Sequence, residues 1–268
     1  MRPVVVALGV AFCALSAGLA AENSHQTTSR AESPRAAAAR AERGVPFKGG
    51  ETLGYDVSWS TFLTAGTATV TVREKRPSFD SVAWYIVAEG QPTPLVSRLY
   101  SVYYKAETLL DAYTLLSQRG SVFSQEGGRR RMKATRFNQI AHTARFEVTT
   151  ATVVTKDFPV PPDAQDPLSA IYVIRGLPLR QGLKLTMPVV DGDEVYRLQV
   201  AVTGHEKVTT PAGEFLAWKI SPEVVGDTSG TQGHGLALWV SDDARRLPLR
   251  MEAEMPVGRF ILALREAH

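Results

Sequence analysis

Cysteine is almost absent from this chain: Cys13 is the only one among 268 residues. It lies in the N-terminal stretch MRPVVVALGVAFCALSAGLA, where basic Arg2 precedes an apolar run ending in the small residues Gly18 and Ala20. That order reads as a secretory signal peptide over residues 1–20, with cleavage expected after Ala20 or Ala21. The run is short for a membrane span, and no second one follows, so no transmembrane span is expected after cleavage. A lipid-modified cysteine follows a small residue; Phe12 stands before Cys13, so a lipoprotein reading is rejected. With Cys13 removed, no thiol is left for a disulfide, a thiolate nucleophile or a cysteine-ligated metal. Such an exported domain depends on its hydrophobic core.

Signals for chemistry are equally sparse. The five histidines, His25, His142, His205, His234 and His268, show no metal-ligand spacing, so neither metal nor cofactor is expected. No G-x-S-x-G elbow and no phosphate-cradling glycine loop occurs. Ser169 falls inside a helix signature, where packing or back-bonding suits it better than nucleophilic attack. Asp242 and Asp243, in WVSDDARRLPLR, are adjacent and point to different sides, which fits a turn better than acid–base work on one bond. With Arg245 they form the candidate polar contact for a ligand; an enzyme acting on glycan or peptide through either aspartate, joined to His234, is the weakest reading. Net charge is also lacking. The chain is +3 overall, but residues 1–48 hold six basic and three acidic side chains, leaving 24 of each sign beyond them. No global field draws nucleic acid.

What is present is mostly strand. Residues 21–45 are Ala-, Ser- and Arg-rich and read as a disordered linker, followed by a single β-rich domain over 46–268. Leu53, Tyr55, Val57 and Trp59 alternate with polar or small residues, a turn is expected at 64–66, and Ala68, Val70 and Val72 alternate back. Pro92 and Pro94 exclude a central strand and leave room for a short helix carrying Leu95 and Leu99. Residues 123–137 and 142–155 read as two long strands, and Asp191-Gly192 and Pro211-Ala212-Gly213 as hairpin turns. In the first of those two strands, Arg129, Arg131 and Lys133 share one face and Arg130 takes the other. That cationic face suits phosphate head groups or an acidic protein patch; protection of an exposed edge, or plain solvation, is favoured over either.

One helix stands out at 166–175. Asp166 is its N-cap and Pro167 its first residue, Leu168, Ile171, Tyr172 and Arg175 follow at i, i+3, i+4 and i+7, and Gly176 is expected in the left-handed conformation before Pro178. So short a helix is unstable alone and has to bury its stripe. The expected fold is therefore mainly β: a large curved antiparallel sheet, half-barrel or open barrel, closed over one short central helix.

Three stretches carry a resemblance: 50–59 (GETLGYDVSW) with Ala65-Gly66; 166–170 (DPLSA) through Arg175; and 210–215 (TPAGEF) followed by 238–243 (LWVSDD) and Leu247-Pro248. In this order the chain resembles the exported bacterial domain-of-unknown-function family 3108, from about Gly50 onward. It is more distantly similar in layout to the lipoprotein-carrier (LolA-like) half-barrels, which hold acyl chains against a helical lid. The first resemblance implies no catalytic residues; the second implies a groove. The leading expectation is an exported, non-catalytic protein of the cell envelope, placed in the periplasm, binding a hydrophobic or lipid-like ligand in the concave face. Tyr55, Trp59, Leu99, Leu168, Ile171, Tyr172 and Trp218 are its candidate lining. The alternative is an envelope scaffold or assembly factor with a filled core, acting through another envelope protein. An apolar cavity of roughly 300 Å³ or more under the helix favours the first, and a filled interior with an exposed apolar patch the second.

Overall fold

Among the described residues, alternating apolar and polar positions resolve into fourteen strands and two helices. The computed structural model describes residues 41–59, 63–99, 101–226, 235–255 and 258–268; the side chains of Leu63, Leu99, Val224, Val225, Gly226 and Met255 lie outside that description. The signal-peptide stretch and His234 also fall outside it. In chain order the elements are β1 (Thr52–Trp59), β2 (Leu63–Ser78), β3 (Ser81–Pro92), α1 (Pro94–Leu99), β4 (Val102–Asp111), β5 (Ser117–Glu126), β6 (Arg129–Asn138), β7 (Thr143–Thr149) and β8 (Val153–Pro159). Then come α2 (Pro167–Arg175), β9 (Lys184–Asp191), β10 (Glu194–Thr210), β11 (Gly213–Gly226), β12 (Ala237–Ser241), β13 (Pro248–Met255) and β14 (Gly258–Ala267).

All fourteen strands form one antiparallel sheet, ordered β8-β7-β6-β5-β4-β3-β2-β1-β14-β13-β12-β11-β10-β9. Two meanders thus run outward from the β1–β14 pair, and the single long crossover, from β8 to β9, joins the two outer edges. That crossover contains α2. The sheet curls until its edges approach, without a ladder between them. Gln165 makes one parallel bridge to Val189, Thr135 Oγ1 donates to the Gly192 carbonyl at 2.7 Å, and Lys156 pairs with Asp193 at 2.9 Å. A small apolar cluster of Ala144, Val160, Ala164 and Val190 fills the seam. The result is an open barrel, not a closed one.

The strand registers define two ends. One end, the mouth, carries α1, the Gly127-Gly128 turn and the Asp191–Glu194 turn; the other, the floor, carries the turns at 79–80, 112–116 and 242–247 and the start of β1. α2 lies within the curve, packed on β4, β5 and β9. Leu168 and Tyr172 enter one core cluster with Leu53, Tyr55, Val72, Leu110 and Leu264, whereas Ala170 and Ile174 enter a second with Leu198, Val200, Ile220 and Val240. The helix is therefore buried on two sides, which supplies the stability that nine residues lack on their own.

Four local expectations need correction. The stretch 123–137 is not one strand but parts of β5 and β6, split at Gly127-Gly128, where Gly127 has φ 58°. The stretch 142–155 is likewise β7 and β8, reversing at 150–152, a turn with neither glycine nor proline to announce it. The turn expected at 64–66 is strand: Gly66 pairs with Val57 and Pro92. Gly176 is right-handed, at φ −79° and ψ −6°, because the chain continues in tight turns, with Gly176 N–H donating to the Val173 carbonyl and Leu177 N–H to that of Ile174.

Candidate functional site

The floor is built around a buried charge. Arg175, at the C-terminal end of α2, has no exposed surface, and Glu51, just before β1, is 3% exposed. Their bond is bidentate, Nη1 to Oε1 at 2.7 Å and Nη2 to Oε2 at 2.9 Å. The remaining guanidinium donors reach the carbonyls of Arg246 (2.9 Å) and Arg245 (3.1 Å) in the 242–247 turn. Burial pulls the Arg175 pKa down, but the Glu51 hydrogen bonds and the neighbouring Tyr172 outweigh it, and the balance is upward. The guanidinium also lies over the rings of Tyr172 and Phe47, at 4.9 and 5.4 Å. Tyr55 donates to the Pro248 carbonyl at 2.9 Å, while the buried Tyr172 hydroxyl has no hydrogen-bond partner. Burial raises the pKa of both phenols.

The other end of α2 is fixed as firmly. Asp166 accepts from the backbone of Leu168 and Ser169 as N-cap, and from the hydroxyls of Thr108 and Ser117 at 2.6 Å each. One buried carboxyl thus satisfies two helix donors and ties them to β4 and β5. Burial raises its pKa, against the opposing pull of those donors. Gln165 reinforces the joint through Ser117 N–H (3.1 Å), Ser169 Oγ (2.9 Å) and the Leu115 carbonyl (2.9 Å). The close approach requires Gly120: a Cβ there would stand 2.5 Å from that of Asp166.

Between this helix and the concave face of the sheet lies an apolar cavity. Its volume is about 160 Å³, and the surrounding groove, open solvent included, measures about 1880 Å³. Leu53, Tyr55, Val57, Val70, Ala88 and Ala106 form one wall; Leu198, Leu238, Met251, Phe260 and Leu262 form the other; Leu168, Ile171 and Tyr172 of α2 lie between. The polar lining includes Lys133, Thr135 and Asp191, where β6 faces the Asp191–Glu194 turn, and also Glu89, Glu107, Ser121, Asp166 and Glu252.

Of the candidate lining residues, Tyr55, Leu168, Ile171 and Tyr172 meet at this cavity. Two others do not line it. Trp59 sits at the end of β1, stacked on Phe260 at 6.4 Å, and Trp218 stacks on His205 at 4.1 Å while its Nε1 donates to Asp242 at 2.8 Å. Alternation sorts residues between faces but does not report their depth along a strand. Leu99 belongs to α1, but its side chain lies outside the described residues.

The candidate polar residues are likewise remote from the cavity. Asp242 receives His205 Nε2 at 2.9 Å and Arg246 at 3.1 Å as well as Trp218. Partial burial raises its pKa, and the bonds from Trp218 and His205 bring it below the ordinary value. Asp243 closes a turn, accepting from Ser241 Oγ and the backbone N–H groups of Arg245 and Arg246. Arg245 contributes its carbonyl to Arg175. Among the described residues no three His, Asp or Glu side chains stand together as metal ligands, and no helix is long and apolar enough to cross a membrane. Sequence reasoning missed Glu51, Gly120 and the second role of Asp166. The only local sign was the polarity of Glu51 beside an apolar strand.

An open antiparallel sheet curled around one helix, with an apolar groove beneath it, defines a β-barrel-like protein with an internal pocket. The sequence pattern of the family described as "Protein of unknown function (DUF3108)" matches residues 54–265, and the chain belongs to that family. No curated protein matches it in sequence. Among solved structures it is similar to a β-barrel-like protein of domain of unknown function DUF1849 from Brucella abortus, at 10% identity and TM-score 0.52, over 81% of this chain and 96% of that one. That likeness concerns the fold alone. Weaker similarities, both at TM-score 0.32, link it to a protein described as exported, with a YmcC-like fold, from Bacteroides fragilis (13% identity, 85% of this chain and all of that one) and to a protein described as a lipoprotein from Parabacteroides distasonis (12%, 84% and 98%).

Proposed function

We propose that this protein is exported to the periplasm, where it binds one hydrophobic, lipid-like ligand without catalysis. The cavity supports the reading: an apolar space lined from both meanders and α2. Its volume, about 160 Å³, falls short of the roughly 300 Å³ expected of a site for a bulky ligand and suits one narrow hydrocarbon chain. The apolar N-terminal run supports export. One observation favours the scaffold reading instead: β8 is a free sheet edge on which Val153 and Val154 are 60% and 57% exposed, a surface to which a partner strand can add.

Titration with the uncharged apolar dye N-phenylnaphthylamine tests the proposal. Saturable fluorescence enhancement, reversed by a competing fatty alcohol, is the expected result. Absence of enhancement, together with no lipid above background in mass spectra of protein purified from native envelope, overturns it in favour of the scaffold.

A further inference from the structure

Resting on that reading, we propose that the ligand is an anionic phospholipid, its chain in the cavity and its phosphate held at the mouth by Lys133 and Arg131. The argument starts from β6. Lys133 and Thr135 line the cavity, opposite Val122 and Gly120 of β5, which line it too. Alternation puts Arg131 and Arg129 on the same face, successively nearer the mouth, about 7 Å apart along the strand. An inward row of three cations thus climbs from the cavity wall to the rim.

β6 is flanked by β5 and β7, so these side chains guard no sheet edge, and the edge-protection explanation fails. Nor do they serve the fold. No side chain of Arg129, Arg131 or Lys133 forms an ion pair or hydrogen bond with any described residue. Two nearby carboxylates are committed: Glu126, opposite Arg129, accepts from Tyr104, and Asp193 pairs with Lys156. Lys133 is half-buried without a bonded counter-charge, and partial burial of a charge costs free energy. Three like charges on one strand face repel, and an anion between them relieves both costs. The cavity below is mainly apolar and accepts hydrocarbon. Phosphate above and chain below is the arrangement that satisfies both.

The test displaces N-phenylnaphthylamine from the full chain with lysophosphatidylglycerol and lysophosphatidylcholine of equal chain length, which share the phosphate and the acyl chain but differ in the head-group alcohol and hence in net charge. The expected result is displacement at roughly tenfold lower concentration for the anionic lipid, a preference that shrinks in high salt. The variant Arg131→Gln/Lys133→Gln loses the preference, read as the ratio of the two lipids' displacement concentrations on that variant. Arg130→Gln/Arg136→Gln, on the other face of the same strand, keeps it. Equal displacement by the two lipids, or a preference that survives Arg131→Gln/Lys133→Gln, overturns the head-group assignment and leaves apolar binding intact. Inorganic phosphate that binds as tightly as the lysolipid overturns the lipid as source. A protein that binds neither dye nor lipid overturns both proposals together.

Discussion

Replacing Glu51 by glutamine keeps the shape of the floor and removes its negative charge. Arg175 cannot respond by losing its proton, because a guanidinium stays charged in proteins. It also cannot reach water, since it is fully buried and two of its donors are held by the Arg245 and Arg246 carbonyls. Breaking a buried pair on one side leaves an uncompensated charge, at a cost of about 3–5 kcal/mol. Set against a typical stability of about 5–15 kcal/mol, this is a large fraction. At roughly 2–4 °C per kcal/mol for a domain of this size, Tm falls by about 6–20 °C. Urea unfolding followed by tryptophan fluorescence gives the free energy directly. The companion variant Glu51→Leu/Arg175→Met, which removes both charges, is expected to be no less stable than Glu51→Gln alone. A loss below about 1 kcal/mol for Glu51→Gln, the range of a solvated ion pair, refutes the burial argument.

Gly120→Ala places a methyl carbon 2.5 Å from the Asp166 Cβ and 2.9 Å from its Cγ, so the helix N-terminus has to shift; the expected loss is about 1–3 kcal/mol, and an unchanged urea midpoint counts against the close approach. Asp111 is buried, which raises its pKa, but donors from Ser81, Thr114 and Tyr113 outweigh this and hold it below the ordinary value. A carboxyl with a folded pKa below the unfolded one contributes stability above the unfolded value and loses it as pH falls through the folded one. Asp111→Asn should therefore cost about 1 kcal/mol at neutral pH, a cost that shrinks as pH falls through the folded value, and a cost independent of pH sinks the assignment. Ala106→Leu fills the cavity from β4: stability should stay within about 1 kcal/mol of the parent, while dye affinity drops roughly tenfold or more.

The parts of the fold legible in the sequence were those with local causes. Asp166 and Pro167 start a helix through their own chemistry, and period-two alternation identifies a half-buried strand wherever it lies. Sheet order has no such signature. That β1 pairs with β14, and that the β8–β9 connection crosses the concave face, depends on contacts between residues far apart in the chain. The Arg175–Glu51 pair spans 124 positions, so Arg175 reads from the sequence only as one more residue on the helix face. The basic run shows the same division. Its sharing of faces was readable from alternation, but whether β6 lay at the edge or the interior was not, and that position decides between a protective role and a binding one.

The two ends of the barrel treat charge in opposite ways, and the difference bears on how a ligand is selected. Toward the floor, Arg175, Glu51 and Asp166 are buried with their partners in place, so these charges serve the position of α2. At the mouth, the inward cations of β6 have no partner among the described residues. The cavity, about 160 Å³, is small for a whole lipid. On the proposed reading the polar end therefore stays beside β6, chain length is set by packing against Leu168, Ile171 and Tyr172, and head-group choice by charge at Arg131 and Lys133. Because the two determinants sit on different elements, substitutions on α2 should alter affinity for every ligand alike, whereas substitutions on the inward face of β6 should alter only the discrimination between them.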